Sequence, residues 1–406
     1  MRSPNRPYED RVTTNAAFAA HVSRGKVDFY ERAGVAVVMG ERAGATFCDA
    51  FDPSRKFFNC HSNGGVFNLG HRHADVIAAV RNALDSLDIG NHHFVSGQRA
   101  KLAERLAAST GGELPGVVFG VSGGEAVDLA LKLARGVTGR AKIVSARGGY
   151  HGHTGLALAA GDAEYREPFG VAWPEFVQVP FNDADAMERA VDGDTAAVIL
   201  ETIPATLGMP LPAPGYLKRV REFCTARGAR LVLDEVQTGL GRTGTMWAWQ
   251  GEDVVPDAMV TGKGLSGGVY PITATLLSAE MHRFFDARPF VHISTFGGAE
   301  VGCAAAIAVL DVVERIGFLE RVLAVGERFE REFAGLPFVV RRRGMFMGLA
   351  FPFEGGGMVA TKALFDAGIF AVYANHDTSV LQFLPPLVVR DDDVDGIVSI
   401  VRKVFG

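Results

Sequence analysis

Short apolar runs alternate with amphipathic stretches through the middle of the chain. Runs of three to five residues favour buried strands, and the stretches 124–135 and 216–227 have the apolar spacing of helices. Alternation of this kind predicts a mostly parallel sheet that is covered by helices on both faces. The predicted strands are residues 117–120, 142–144, 177–180, 197–200, 231–233, 258–261 and 273–277.

The flanking sequence predicts further elements on both sides of this sheet. We expect an N-terminal helix at 7–22, then two or three short strands within 35–51 that turn at Gly40 and Gly44. Helices are predicted at 74–87, 97–109, 299–315 and 318–333, and the remainder favours a small α+β unit. The predicted division is an N-terminal segment 1–55, a large domain 56–298 and a C-terminal small domain 299–406.

Composition narrows the class of protein. A chain of 406 residues exceeds one simple core, so two or three domains are expected. Hydrophobic residues make up 48% and charged residues 21%, as in soluble globular proteins, and the net charge of −5 gives no reason to expect nucleic acid or an anionic membrane as a partner.

Because no apolar run reaches about 18 residues, no membrane span is expected. Four scattered cysteines without CxxC spacing argue against a metal site and a disulfide framework, and they suit the cytoplasm.

Two predicted strands end next to residues with candidate chemistry. Asp234 follows the run 231–233, and Lys263 follows the run 258–261 between two glycines. In open α/β sheets, ligands bind beyond the carboxyl ends of the strands. A lysine that forms a Schiff base with pyridoxal phosphate (PLP), and an aspartate that pairs with the pyridine nitrogen, would suit this placement. On these residues alone, a surface lysine and a structural acidic pair remain an open alternative.

Three other loops carry weaker signals. Ser122 and the glycines after it lie between a strand and a helix, where free backbone N–H groups bind phosphate, although an ordinary helix cap has the same pattern. Tyr150 and His151 follow the next strand, and an aromatic ring there could stack on a planar cofactor or simply pack at the junction. The segment 294–298 suits either a phosphate contact or a turn.

Taken in order, these motifs resemble the class III (ornithine- and 4-aminobutyrate-type) aminotransferases of PLP fold type I. The resemblance covers nearly the whole chain, and it depends on the order of the motifs because each of them is short. The motifs are Ser122-Gly123-Gly124-Glu125-Ala126, Tyr150-His151-Gly152, Asp234-Glu235-Val236-Gln237-Thr238-Gly239, Gly241-Arg242-Thr243-Gly244, Thr261-Gly262-Lys263-Gly264, Ser294-Thr295-Phe296-Gly297-Gly298 and Leu384-Pro385-Pro386-Leu387.

The resemblance implies a fold and a role for each matching residue. The fold would be a large domain around a seven-stranded, mostly parallel sheet, with a small α+β domain built from the C-terminal part and the N-terminal segment. Lys263 would carry the Schiff base and shuttle protons, and Asp234 would keep the pyridine nitrogen protonated. The remaining cofactor contacts would be Gln237 to the ring hydroxyl, Tyr150 stacked on the ring, Ser122, Gly123 and Gly124 at the phosphate, and Thr295 at the phosphate across the interface of a homodimer with shared active sites.

The sequence departs from the family where substrates bind. Members that use glutamate commonly carry Arg, Glu and Arg at the positions of His153, Thr206 and Gln382. Loss of the last Glu and Arg together is coherent, because either charge buried alone would be costly. We therefore expect the usual α-carboxylate clamp to be absent, with Arg343 or His92 and His93 as other candidate contacts. At the phosphate, Gly124 replaces a commoner Thr or Ser, which predicts a lower cofactor affinity.

The sequence thus predicts a homodimeric PLP-dependent aminotransferase that moves an amino group from a small-molecule donor to a keto acid or aldehyde acceptor by a ping-pong mechanism. Aminomutases and amino-acid racemases or epimerases of the same family are an alternative, because a single substrate needs no charge switch. A decarboxylating transaminase and a catalytically silent PLP-fold protein are two further hypotheses.

Overall fold

The computed structural model describes residues 6–90, 93–170 and 173–406. Its first helix, α1 (Arg11–Phe18), continues through a π-helical turn into α2 (Arg24–Arg32). The helix predicted at 7–22 therefore begins later and ends later. Its start is fixed by Asp10, whose side chain accepts a hydrogen bond from the Thr13 backbone N–H at 2.7 Å.

Three short strands follow, β1 (Met39–Ala43), β2 (Thr46–Asp49) and β3 (Lys56–Asn59). The turn predicted at Gly44 is confirmed, since it separates β1 from β2 with a φ of 54°. The turn predicted at Gly40 is wrong, because Gly40 lies inside β1. A Cβ atom there would lie 2.8 Å from the Ala50 Cα, so the glycine permits a close approach of two backbone segments.

A seven-stranded sheet forms the centre of the molecule, and every strand predicted for it is present. Short strands buried on both faces fit their continuous apolar composition. The elements of this region are α3 (Ser62–Gly65), α4 (Ala74–Leu84), α5 (Gly97–Ser109), β4 (Gly116–Gly120), α6 (Gly123–Thr138), β5 (Lys142–Ala146), α7 (Gly155–Ala160), α8 (Ala163–Arg166), β6 (Phe176–Val179), α9 (Ala184–Ala190), β7 (Thr195–Glu201), α10 (Tyr216–Arg227), β8 (Arg230–Asp234), β9 (Ala258–Thr261), β10 (Thr273–Leu277) and α11 (Ala279–His282).

The strand order of this sheet is β4-β10-β9-β8-β7-β5-β6. β10 runs antiparallel to both of its neighbours, and the other pairs are parallel. The carboxyl ends of six strands consequently meet at one edge of the sheet. At this edge Glu201 is the register partner of Asp234 on the adjacent strand.

The C-terminal part builds a second α+β unit. Its four-stranded sheet has the order β11-β12-β15-β14, while β13 pairs in parallel with β3 and so joins the N-terminal strands to this unit. The elements are α12 (Glu300–Val313), α13 (Phe318–Glu332), β11 (Val339–Arg343), β12 (Phe346–Ala350), α14 (Gly356–Asp366), β13 (Ile369–Phe370), β14 (Val372–Ala374), β15 (Asp377–Phe383) and α15 (Asp391–Phe405).

The packing of α12 concerns the proposed boundary between the large domain 56–298 and the small domain 299–406. Its buried residues Cys303, Ala306 and Leu310 share a hydrophobic core with residues of β7 and β8. The proposed small domain at 299–406 thus begins with a helix that packs on the large sheet. Within the described ranges, no helix combines the length and the apolar character needed to cross a bilayer.

Candidate active site

A cavity of about 350 Å³ lies beyond the carboxyl edge of the central sheet. Its walls come from the loops that follow β4, β5, β7, β8 and β9, so the parallel strands deliver residues from distant parts of the sequence to one place. The lining residues are Ser122, Gly123, Gly124, Tyr150, His151, Gly152, His153, Thr154, Glu201, Thr206, Asp234, Val236, Gln237 and Lys263.

Asp234 is held at the end of β8 by two hydrogen bonds. Its Oδ1 accepts from the Val236 backbone N–H at 3.1 Å, and its Oδ2 lies 2.9 Å from the His151 Nδ1. The aspartate is 6% exposed. This arrangement fixes the carboxylate in one orientation toward the cavity, where a cationic ring nitrogen would be stabilised.

Lys263 lies where the chain leaves β9. Its Nζ donates to the Gln237 Oε1 at 2.9 Å. Burial lowers the pKa of Lys263, although the negative charges of Asp234 and Glu201 oppose that shift. A lowered pKa increases the fraction of neutral amine, which is the nucleophilic form.

The short segment α3 is a left-handed turn rather than a regular helix, and it packs against this lysine. Ser62, Asn63, Gly64 and Gly65 all have positive φ angles, and Lys263 itself has a φ of 38°. A Cβ atom on Gly64 would lie 3.0 Å from the Lys263 Nζ. The backbone of the turn therefore forms one wall around the amine.

The N-terminus of α6 points its free N–H groups at the cavity. The Ser122 Oγ caps the helix by accepting from the Glu125 backbone N–H at 3.2 Å, and the Glu125 side chain accepts from the Val121 N–H at 2.7 Å. The helix dipole then favours an anion beside Gly123 and Gly124.

Thr154 occupies the space that a side chain on Gly124 would need. A Cβ atom on Gly124 would lie 2.5 Å from the Thr154 Oγ1. A hydroxyl is therefore present at this end of the cavity although residue 124 has none. Thr154 is a lining residue that the sequence alone did not indicate.

Aromatic rings form the wall next to Tyr150. The ring centroids of Tyr150 and His153 are 5.2 Å apart, and His153 meets Tyr165 edge-on at 5.0 Å. Tyr165 in turn contacts His376 of the C-terminal unit at 5.7 Å. This chain of rings links the cavity to both parts of the molecule.

Thr206 and Gln382 are neutral and already hydrogen-bonded within the protein. The Thr206 Oγ1 donates to the Gly148 carbonyl at 2.9 Å. The Gln382 Nε2 donates to the Tyr373 carbonyl at 3.3 Å, and its Oε1 accepts from the Gln237 Nε2 at 3.5 Å. No arginine is found among the described residues that line the cavity.

Comparison with known proteins places this chain in a family. A model of the class III aminotransferases matches residues 31–405. The chain belongs to the class III aminotransferase family. An uncharacterized aminotransferase from Archaeoglobus fulgidus is 54% identical over 387 residues, which cover 94% of this chain and 91% of that protein.

Solved structures of aminotransferases share the fold. The ornithine aminotransferase of Toxoplasma gondii, crystallised with partial occupancy of PLP, superposes with a TM-score of 0.83 at 27% identity over 98% of both chains. A PLP-bound amine transaminase from an uncultivated Pseudomonas species gives 0.81 at 25% identity over 91% of this chain and 94% of that one. The protein is therefore a PLP-dependent transferase of fold type I.

The residues of this class III aminotransferase fit PLP. Lys263 and Asp234 face one cavity, as the lysine and the ring-nitrogen partner of PLP must, and the Gly124 backbone approaches loop 152–154 so closely that a Cβ would fill the cradle beside α6. The structure thus brings together Ser122, Gly123, Gly124, Tyr150, Asp234, Gln237 and Lys263.

Other predicted site residues of this aminotransferase lie elsewhere. Arg343 is on β11, where its guanidinium pairs with the Glu252 carboxylate, and it is not a cavity-lining residue. His93 lines a different surface hollow, and His92 lies outside the described residues. Thr295 is exposed on a loop beyond the cavity of its own chain.

One buried arginine appeared in the sequence only as part of a motif, without a predicted role. Arg242 is fully buried and donates to the Pro385 carbonyl and the Asn68 Oδ1, both at 2.6 Å, and to the Met345 carbonyl at 3.2 Å. It joins the loop after β8 to the segment before α4 and to the C-terminal unit. Its role within this aminotransferase is structural.

Proposed function

We propose that this aminotransferase moves an amino group from an amino acid or amine to a keto acid or aldehyde in two half-reactions at one cavity, without an arginine–glutamate switch for substrate carboxylates. One observation carries the proposal: Thr206 and Gln382 are neutral and satisfied by hydrogen bonds inside the protein. A charged partner at either place would have to be buried beside a neutral residue, which is unfavourable.

The residues of the chain divide the work of holding the cofactor and moving protons. Bound PLP supplies an electron sink for the substrate carbon. Asp234 would hold the ring nitrogen, Gln237 would hold the ring hydroxyl, and Tyr150 would pack against the ring. The Lys263 Nζ would hold and move the proton that leaves the substrate carbon, and its lowered pKa suits this task.

The phosphate end is assigned to α6 and Thr154. The N–H groups of Gly123 and Gly124 and the helix dipole attract the anion, and Ser122 closes the first turn of the helix. The Thr154 hydroxyl takes the part that a Thr or Ser at position 124 would play, so the expected loss of affinity is offset.

On the substrate side, the lining favours a neutral or aromatic group over a second carboxylate. Polar groups on that side include the ring of His153 and the hydroxyl of Thr206, whose proton is already donated to the Gly148 carbonyl. Because bidentate recognition by arginine is much stronger than a single neutral hydrogen bond, dicarboxylate substrates are expected to bind weakly.

Substitution of the two neutral residues tests this proposal. We expect Gln382→Arg to gain activity with 2-oxoglutarate as acceptor, and Gln382→Arg combined with Thr206→Glu to recover the stability that the buried arginine costs. The measurement is kcat/KM for 2-oxoglutarate and for an uncharged aldehyde, with thermal unfolding alongside.

Two outcomes would contradict the proposal. Efficient use of 2-oxoglutarate by the unchanged protein, with no response to Gln382→Arg, would show that its carboxylates are held elsewhere. Racemised or rearranged amine without any keto product would replace transamination by the isomerase alternative.

A homodimer with shared active sites is part of the proposal. Large apolar side chains are exposed around Thr295, with Phe290 74%, Ile293 55% and Phe296 51% exposed. A cluster of this kind typically marks an interface. A second copy would cover it and bring Thr295 to the phosphate of its partner.

We also propose that the protein works in the cytoplasm. Its four cysteines are all buried and unpaired, which suits a reducing compartment.

A further inference from the structure

Glu201 is a buried carboxylate of the cavity to which the mechanism above gives no task. It ends β7 beside Asp234, and it is 8% exposed. Its Oε1 accepts from the Tyr150 backbone N–H at 2.9 Å, and its Oε2 accepts from the Ala205 N–H at 3.2 Å. Two backbone donors fix the side chain and stabilise its ionised form.

His151 contacts Asp234 and borders the same small space as Glu201. Its Nδ1 lies 2.9 Å from the Asp234 Oδ2, so Nδ1 carries the proton of that hydrogen bond. Its Nε2 is buried and has no hydrogen-bond partner within the described part of the chain. A Cβ atom on Gly149 would lie 3.3 Å from this Nε2 and 3.9 Å from the Glu201 Oε1, so both atoms border the same small space.

The charges that act on the imidazole are those of the two carboxylates. Burial by itself lowers the pKa of His151, but the Asp234 hydrogen bond and the charges of Asp234 and Glu201 outweigh it, so the pKa is raised. Burial raises the pKa of Glu201 to about 7, while His151 opposes that shift and Asp234 adds to it. Each of the two groups therefore affects the protonation of the other.

We propose that Glu201 is a positioning residue whose negative charge favours a second proton on His151, so that a cationic imidazole orients the Asp234 carboxylate toward the cofactor ring. The inference deepens the proposed function and rests on it. The hydrogen bond from the His151 Nδ1 orients the Asp234 carboxylate as an acceptor for the ring nitrogen, and a positive charge on the ring strengthens that hydrogen bond.

The same charge acts on Lys263. Asp234 and Glu201 both raise the pKa of this amine, against the effect of burial. Removal of the Glu201 charge therefore lowers the pH at which the nitrogen joined to PLP loses its proton. At an effective dielectric constant near 20, one charge within the cavity corresponds to a shift on the order of one pH unit.

The first measurement is the protonation state of His151 in the PLP-loaded protein. Nitrogen NMR of histidine-labelled protein, with the His151 signal assigned by its loss in His151→Asn, is expected to show an imidazolium at pH 7 in the unchanged protein. Glu201→Gln is expected to give a neutral ring with its proton on Nδ1. A neutral His151 in the unchanged protein would overturn the inference even if the variant failed to fold.

The second measurement is a pH titration of the absorbance of bound PLP. Glu201→Gln is expected to lower the pH midpoint by about one unit. Glu164→Gln removes a 68% exposed carboxylate beside His376 and is expected to leave the midpoint unchanged. Equal midpoints in the Glu201→Gln and unchanged proteins would overturn the inference while leaving the proposed function intact. Failure of the unchanged protein to bind PLP would overturn both.

Discussion

The hydroxyl at the α6 end of the cavity comes from a residue that is distant in sequence. Gly124 has no hydroxyl, and Thr154 fills the volume beside it. The sequence predicted that residue 124 has no hydroxyl, but it did not predict that Thr154 supplies one. The two residues are 30 positions apart and meet only when loop 152–154 folds over α6. Glu201 was missed as a site residue for the same reason, since its register with Asp234 exists only in the folded sheet.

Removal of the Thr154 hydroxyl tests this replacement. We expect Thr154→Val to raise the Kd for PLP by roughly five- to tenfold, about 1 to 1.5 kcal/mol, because one hydrogen bond to a charged group is lost. Thr154→Ser keeps the hydroxyl and serves as the control. Fluorescence titration of the cofactor-free protein with PLP measures both, and equal affinities of the two variants would contradict the assignment.

At the level of elements, the central sheet and its long helices were predicted from apolar periodicity. The short helices α7, α8, α9 and α11 and the turn at Ser62–Gly65 were not predicted. Strands β4 to β10 are short and continuously apolar, a pattern that local sequence reveals. Positive φ at Ser62 and Asn63 has no such signal, because neither residue type requires it. The turn is stabilised by its surroundings, and its position against Lys263 suggests why its strain is retained.

A pair of glycine substitutions separates crowding from strain at this turn. Gly64→Ala and Gly111→Ala both place a side chain at positive φ, and each is expected to cost roughly 1 kcal/mol of stability. Only at Gly64 does the added Cβ meet the Lys263 Nζ, since nothing lies within 4 Å of the Cβ at Gly111. We therefore expect slower PLP reconstitution in Gly64→Ala alone, as followed by absorbance. Equal rates in both variants would show that the wall does not constrain the amine.

At the level of the whole molecule, the exposed apolar loop around Thr295 leads us to predict that each active site contains residues of both subunits. A subunit with Lys263→Ala lacks the nucleophile, and a subunit with Thr295→Glu repels the phosphate by its negative charge. If each site combines Lys263 of one subunit with Thr295 of the other, the mixed dimer contains one intact site. Coexpression is then expected to restore about half of the activity per dimer, while each variant alone stays inactive.

The arrangement of subunits can be read directly from that experiment. Restored activity in the tandem-purified mixed dimer requires Thr295 to act across the interface. If Thr295 served its own chain, both sites of the mixed dimer would be damaged and no activity would return. Light scattering of the unchanged protein gives the matching mass, and a monomer at assay concentration would contradict the homodimer.

The buried guanidinium of Arg242 has a mechanical consequence. It is anchored to carbonyl oxygens of Met345 and Pro385 on one side and to Asn68 on the other, and no part of it reaches solvent. Rotation between these segments must leave this point almost still, since a displaced guanidinium would lose three acceptors at once. Any opening and closing of the cavity during turnover should therefore be a rotation about Arg242. Its largest displacements are expected away from this residue, at the contact between Tyr165 and His376.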